Sequence, residues 1–189
     1  MKVDYSNLGE YLQTVHNDMR ELQIQCVAHL KKNPRCIIDS PMGTGKTLMG
    51  LTATLLREPK RVLIACSKNA LWTWKKEIDK WYPEYGKPGM YRVISGSPAQ
   101  RRQLWSADTL FYVCTYAVLR NDIEIVRKIG FDVMILDEFH RSGLRQHQVK
   151  KKRRPTPNGD PIKTLTGFGI VKLLAHIPAM YLISGTVLS

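Results

Sequence analysis

No stretch of this 189-residue chain approaches the ~20 consecutive apolar positions that a bilayer-spanning helix requires. Met1 to Glu10 is polar and carries no signal-peptide core, so the expectation is a soluble, intracellular protein with no membrane partner. Cysteine is sparse. Cys26, Cys36, Cys66 and Cys114 stand far apart, three of them in or beside apolar runs. That spacing suits neither a disulfide framework nor a metal knot and leaves buried free thiols as the reading. There is no internal repeat. The histidines His16, His29, His147 and His176 are isolated and read as surface or packing residues. Acidic side chains are also few, 16 against 29 Lys and Arg, for a net charge of +13. An imbalance of that size favours a polyanionic partner. It is concentrated between residues 141 and 163, where eight basic residues face one acid.

What is present is an ordinary globular balance, 43% apolar and 24% charged, in a length that suits one domain with a substantial core. Short apolar runs alternate with helical patterns. Strands are expected at Cys36–Ile38, Val62–Cys66, Tyr91–Ile94, Leu110–Cys114, Val133–Leu136 and Ala179–Ile183. Helices are expected from Met19 to about Lys31 (capped by Asn17, with Leu22, Cys26, Val27 and Leu30 on one face), over 48–56, 69–81 (capped by Ser67), 98–105 and 123–129, and from Leu165 to His176. Trp72, Trp74 and Trp81 fall at helical spacings and read as core rather than as base-stacking platforms. Residues 141–162, with three prolines and the run Lys150, Lys151, Lys152, Arg153, Arg154, read as an exposed basic loop or insertion. Strands that are apolar throughout and alternate with helices imply an α/β fold, a mostly parallel sheet covered on both faces. Ligands of such sheets sit beyond the carboxyl ends of the strands.

Two segments at those ends carry chemistry. Ser40-Pro41-Met42-Gly43-Thr44-Gly45-Lys46-Thr47 lies between a strand and a helix, the P-loop arrangement. Its glycines let successive backbone N–H groups turn toward phosphate oxygens, and the helix N-terminus adds partial positive charge. Lys46 would reach the β- and γ-phosphates of ATP, and the Thr47 hydroxyl would help hold Mg²⁺. The second segment is Asp137-Glu138-Phe139-His140, directly after four apolar residues. This is the Walker B pattern: Asp137 would hold Mg²⁺ through its water shell, and Glu138 would orient and deprotonate the attacking water. Lys68, near a helix start, could touch a phosphate or remain solvated.

Taken in order, Gly-Thr-Gly-Lys-Thr, Asp-Glu-Phe-His and Ser184-Gly185-Thr186 resemble the first RecA-like lobe of superfamily 2 helicases and translocases. The resemblance is closer to the Swi/Snf-like DNA translocases, a group with phage and bacterial members. Val62 to Ser67 with Trp74, Glu77 and Trp81 is similar to their motif Ia, and Cys114-Thr115-Tyr116 to their motif Ib. Phe131-Asp132 ahead of the fifth strand is also typical. Met19 to Gln23, within a glutamine-motif helix at 17–34, resembles the upstream motif whose glutamine reads adenine. Ser184, Gly185 and Thr186 resemble motif III, which with His140 couples nucleotide state to nucleic acid, although Val187 stands where that motif has proline. The resemblance covers residues 17 to 189 and implies an ATP- and Mg²⁺-dependent hydrolase acting on nucleic acid, DNA before RNA. It implies nucleic-acid contacts at Lys68, Thr115, Tyr116 and the basic run. It also implies a second RecA-like lobe, expected in a longer chain or a partner chain because residues 1–189 hold one lobe. Two rival readings stand beside the double-stranded-DNA translocase: a strand-separating RNA or DNA helicase lobe, and a nucleotide- and nucleic-acid-binding module without turnover.

Overall fold

A computed structural model describes residues 18–139 and 174–185. Six strands form one sheet: β1 (Arg35–Asp39), β2 (Val62–Cys66), β3 (Tyr91–Ile94), β4 (Phe111–Thr115), β5 (Val133–Asp137) and β6 (Ala179–Ser184). Their order is β1-β6-β5-β2-β4-β3, and every neighbouring pair is parallel. All carboxyl ends therefore lie along one edge. The helices are α1 (Glu21–Lys32), α2 (Lys46–Leu55), α3 (Leu71–Trp81), α4 (Pro98–Trp105), α5 (Tyr116–Asn121) and α6 (Ile123–Ile129), with a 3₁₀ turn at Lys68–Ala70 ahead of α3.

The period of two along each strand divides the core. Val62, Ile64 and Cys66 of β2 join Val133 and Ile135 of β5 on one face, beneath Leu30, Leu51 and Trp74 of α1, α2 and α3. Leu63 and Ala65 join Met134 and Leu136 on the other, beneath Trp105, Leu119 and Val126 of α4, α5 and α6. Stacking of Trp105 on Tyr112, with Phe131 edge-on to both, fills the second layer. Asp132 ties the opposite sheet edge, its carboxylate accepting the Lys60 and Arg61 backbone N–H groups at 2.7 and 3.0 Å.

Several sequence expectations need correction. The first helix begins at Glu21 with Arg20 as N-cap rather than Asn17. Its Leu22 is 76% exposed, because Val27, Ala28 and Leu30 set the buried face. Ile37 is exposed, since β1 is an edge strand rather than one covered throughout. Ser67 precedes the 3₁₀ turn and makes no side-chain cap, so the long helix starts later, at Leu71. Trp72 is 62% exposed and is not core. Helix α5 was not anticipated. The helix expected at 165–176 falls mostly outside the described residues, as do the loop at 141–162 and Thr186. Among the described residues no helix is long and apolar enough to cross a membrane.

Candidate active site

The P-loop leaves β1 and enters α2 through two left-handed glycines, Gly43 at φ +78° and Gly45 at φ +84°. Gly45 is the N-cap of α2, and no side chain caps that end. Inside the loop the Ser40 and Thr44 hydroxyls lie 2.7 Å apart, and Thr44 donates to the Pro41 carbonyl at 2.9 Å. Ser40, where the pattern more often has Gly or Ala, thus braces the turn. The Lys46 ammonium is buried and donates to the Ser40 and Pro41 carbonyls at 2.6 and 2.7 Å. It is satisfied by carbonyl oxygens of its own loop, partners that an anion can replace.

Gln23 reaches the loop from α1. Its amide nitrogen donates to the Thr44 carbonyl at 2.9 Å, while its amide oxygen accepts the Arg20 backbone N–H at 2.9 Å. Gln23 is therefore held against the P-loop, with one donor and one lone pair left for a base.

From the middle of the sheet, β5 delivers Asp137, and Glu138 follows at φ +49°. A non-glycine residue in that region is strained, a feature that gathers at functional sites. Asp137 accepts the Trp74 indole N–H at 2.9 Å. Its backbone carbonyl accepts the Tyr116 hydroxyl at 2.7 Å. Burial pushes the Asp137 carboxyl above the ordinary carboxylate range, and Glu138 adds to that push. The Trp74 bond, a Glu138 backbone bond and the Lys46 charge act against it. Beside it β6 ends in Ser184, whose carbonyl accepts the Ser40 N–H at 3.3 Å. A methyl group on Gly185 would sit 3.6 Å from Glu138 Oε1, Lys46 Nζ and Met42 Cγ alike. Three strand ends, those of β1, β5 and β6, thus bring an ammonium, two carboxylates and a left-handed glycine turn into one small space.

The remaining sequence candidates fall as follows. Met42 is 86% exposed, and Thr47 is half-buried in the first turn of α2. Lys68 is exposed at the 3₁₀ turn. Thr115 caps α5, accepting the Val118 N–H. Tyr116 does not present a free ring as a nucleic-acid contact would: it is buried, and its hydroxyl is spent on Asp137. His140, Thr186 and Lys150 to Arg154 lie outside the described residues. Sequence reasoning missed the two braces of Asp137, Trp74 and Tyr116. The available signal was that a buried indole or phenol needs a partner for its polar hydrogen.

The residues present suit a nucleoside triphosphate with a divalent cation: a glycine turn opening into a helix N-terminus, a lysine that among the described residues donates to exchangeable carbonyls, and a carboxylate pair alongside. Fold and site together define the N-terminal RecA-like ATPase lobe of superfamily 2 helicases and translocases, related to the Swi/Snf ATPases. The chain belongs to the family described as "Type III restriction enzyme, res subunit", whose model matches residues 16–157. It is 34% identical over 138 residues to the human "DNA annealing helicase and endonuclease ZRANB3", covering 66% of this chain and 12% of that protein. It is 32% identical over 151 residues to the Drosophila melanogaster "ATP-dependent helicase brm", covering 72% and 9%. The chain therefore spans about a tenth of the length of these relatives. Among solved structures, the Sulfolobus solfataricus SWI2/SNF2 ATPase core in complex with dsDNA superimposes with a TM-score of 0.62 at 20% identity, covering 88% of this chain and 32% of that one. The Pyrococcus furiosus Hef helicase domain gives 0.65 at 18%, covering 92% and 34%. At those identities the structures speak for the fold alone. These relatives are animal and archaeal proteins and lend no support to a phage-type affiliation.

Proposed function

We propose that this lobe binds Mg·ATP at the P-loop and the Asp137–Glu138 pair and serves a double-stranded-DNA translocase. The observation that carries the reading is the convergence of Lys46, Asp137, Glu138 and Gly185 at neighbouring strand ends. Lys46 exchanges the Ser40 and Pro41 carbonyls for phosphate oxygens, a charge-assisted replacement for neutral contacts. Thr47 and Asp137 would hold Mg²⁺. When bound, the cation neutralises charge on the β- and γ-phosphates. Glu138, held out of the strand by its left-handed backbone, orients the attacking water and takes its proton. Gln23 adds a base contact from α1. Gly185 lies close enough to both charged groups that an added methyl would reach them at 3.6 Å, and so lets the segment after β6 sense nucleotide state together with Thr186 and His140.

The nucleic acid runs along the same edge. Exposed Lys68 offers a phosphate contact, and Lys150 to Arg154 add a sequence-blind electrostatic share. A second RecA-like lobe, in cis or as a partner chain, completes the machine. The partial coverage of the relatives and the dsDNA complex of the archaeal ATPase core support that reading. A strand-separating helicase is the second reading, supported by the helicase names of the human and Drosophila relatives.

The experiment joins this chain to a second lobe and measures triplex displacement and duplex unwinding on matched DNA. Displacement that needs ATP and Glu138, without unwinding, is the expected result. Unwinding in its place would select the helicase, and nucleotide binding without DNA-stimulated hydrolysis would select a non-hydrolysing module.

A further inference from the structure

Trp74 is a deeply buried polar donor that meets Asp137 of the carboxylate pair. Its side chain is 1% exposed, in the layer shared by α2 and α3. Any large apolar residue could fill that space. Indole alone among large apolar rings brings a donor and no acceptor, and here that donor lies 2.9 Å from Asp137 Oδ2. The indole thereby fixes Oδ2, alongside a backbone bond that the carboxyl takes from Glu138. The bond is charge-assisted and partly buried, which strengthens its directional hold. The Tyr116 hydroxyl fixes the same residue from behind, through its backbone carbonyl at 2.7 Å. The two braces come from the segments that follow β2 and β4, which lie side by side with β2 next to β5.

We propose that Trp74 is a positioning residue for the metal-holding carboxylate of Asp137, and that it makes this carboxylate responsive to the position of α3. The inference rests on the assignment of Asp137 to Mg²⁺ made above. Helix α3 begins right after the 3₁₀ turn that carries exposed Lys68. A ligand that draws that turn outward pulls the indole with it, and the carboxylate rotates. The link between the nucleic-acid edge and the nucleotide site is then one hydrogen bond long.

The test titrates Mg²⁺ against fluorescent mant-ADP bound to the chain, with a parallel arm in EDTA. Trp74→Phe keeps an aromatic ring and loses the N–H. Replacement of Trp74 by its benzothienyl isostere exchanges the N–H for sulfur in nearly the same volume and covers the case in which Trp74→Phe does not fold. Loss of an outer-sphere partner costs about tenfold or more in metal affinity. The expected result is therefore an approximately tenfold higher Mg²⁺ requirement with unchanged mant-ADP affinity in EDTA. An unchanged Mg²⁺ requirement in the folded isostere variant would overturn the proposal. Equal losses in both arms would also overturn it, since they signify packing alone. Asp137→Asn separates the two levels of inference. If Asp137→Asn shifts the Mg²⁺ requirement and the Trp74 variants do not, only the role of Trp74 fails. If Asp137→Asn also leaves it unmoved, the metal assignment itself fails.

Discussion

Two glycines of one loop differ in what a methyl group would meet. Both Gly43 and Gly45 have positive φ, so either alanine substitution carries the left-handed penalty of about 1–2 kcal/mol. Around Gly43 the added carbon finds nothing within 4 Å, whereas at Gly45 it would lie 2.4 Å from Gln23 Nε2. Gly45→Ala must therefore also push Gln23 off the Thr44 carbonyl, a net loss of about 1 kcal/mol for one hydrogen bond. Denaturant unfolding of the two variants should show the larger loss for Gly45→Ala, and in a Gln23→Ala background the difference should vanish. Equal losses in the unaltered background would mean that Gln23 does not brace the loop. The loop's chemistry was legible in the sequence because Gly, Lys and Thr act there through local backbone geometry. The Trp74–Asp137 bond was not legible. Its partners are 63 positions apart, and helical periodicity says that Trp74 is buried without saying where its N–H points.

Helices α4 and α6 are fastened by a buried ion pair. Arg101 meets Asp122 through two nitrogens at 2.7 and 2.9 Å, and the Trp105 indole donates to the same carboxylate at 2.9 Å. Burial pushes the Asp122 carboxyl up, yet the Arg101 and Trp105 bonds and the charges of Arg101 and Arg102 together hold it below its ordinary value of 3.8. The folded state thus binds this proton less tightly than the unfolded chain does. The pair's stabilisation is fully present above that ordinary value and is lost as pH falls through the lower folded one. Asp122→Ala strands a guanidinium and an indole N–H, at a cost on the order of 3 kcal/mol at pH 7. Thermal unfolding across pH should show the gap between the two proteins narrowing below about pH 4. A gap constant down to pH 2 would contradict the assignment. Neither residue stood out in the sequence, where Asp122 was simply the position ahead of a helix. Elements set by local pattern were read closely: Val62–Cys66, Tyr91–Ile94, Pro98–Trp105 and Ile123–Ile129 have the expected bounds. Helix α5 escaped notice because it has only six residues and starts directly at the end of β4. Its Thr115 cap was the signal to read. Trp72 was misread because it lies two positions from Trp74, which on a helix is a different face.

At the scale of the whole molecule, the net charge of +13 is spent unevenly, and its densest run, Lys150 to Arg154, has a measurable signature. Each phosphate contact contributes a slope of roughly −0.9 in log K against log salt. Replacing all five residues by Ser or Gln should weaken duplex binding alike for unrelated sequences, flatten the slope by about 3 if three or four of them touch phosphate, and leave ATP affinity unchanged. Anisotropy over a salt series reads both quantities, and an unaltered slope would make the run a solvated loop. The parallel sheet and its covered faces were legible from apolar runs alternating with helices. The strand order was not, because it depends on which crossovers pass over β5 and β6. That order puts the P-loop, Gly185 and the Asp137–Glu138 pair side by side. The site it forms is tested most directly by calorimetry of Mg·ATP against the unaltered chain, Lys46→Ala, Asp137→Ala and Glu138→Gln. Glu138→Gln should bind nearly as the unaltered chain does. Lys46→Ala and Asp137→Ala should each bind about tenfold more weakly or worse, since each loses a charged contact. Equal affinity in all four proteins would contradict the assignment of this strand edge to Mg·ATP.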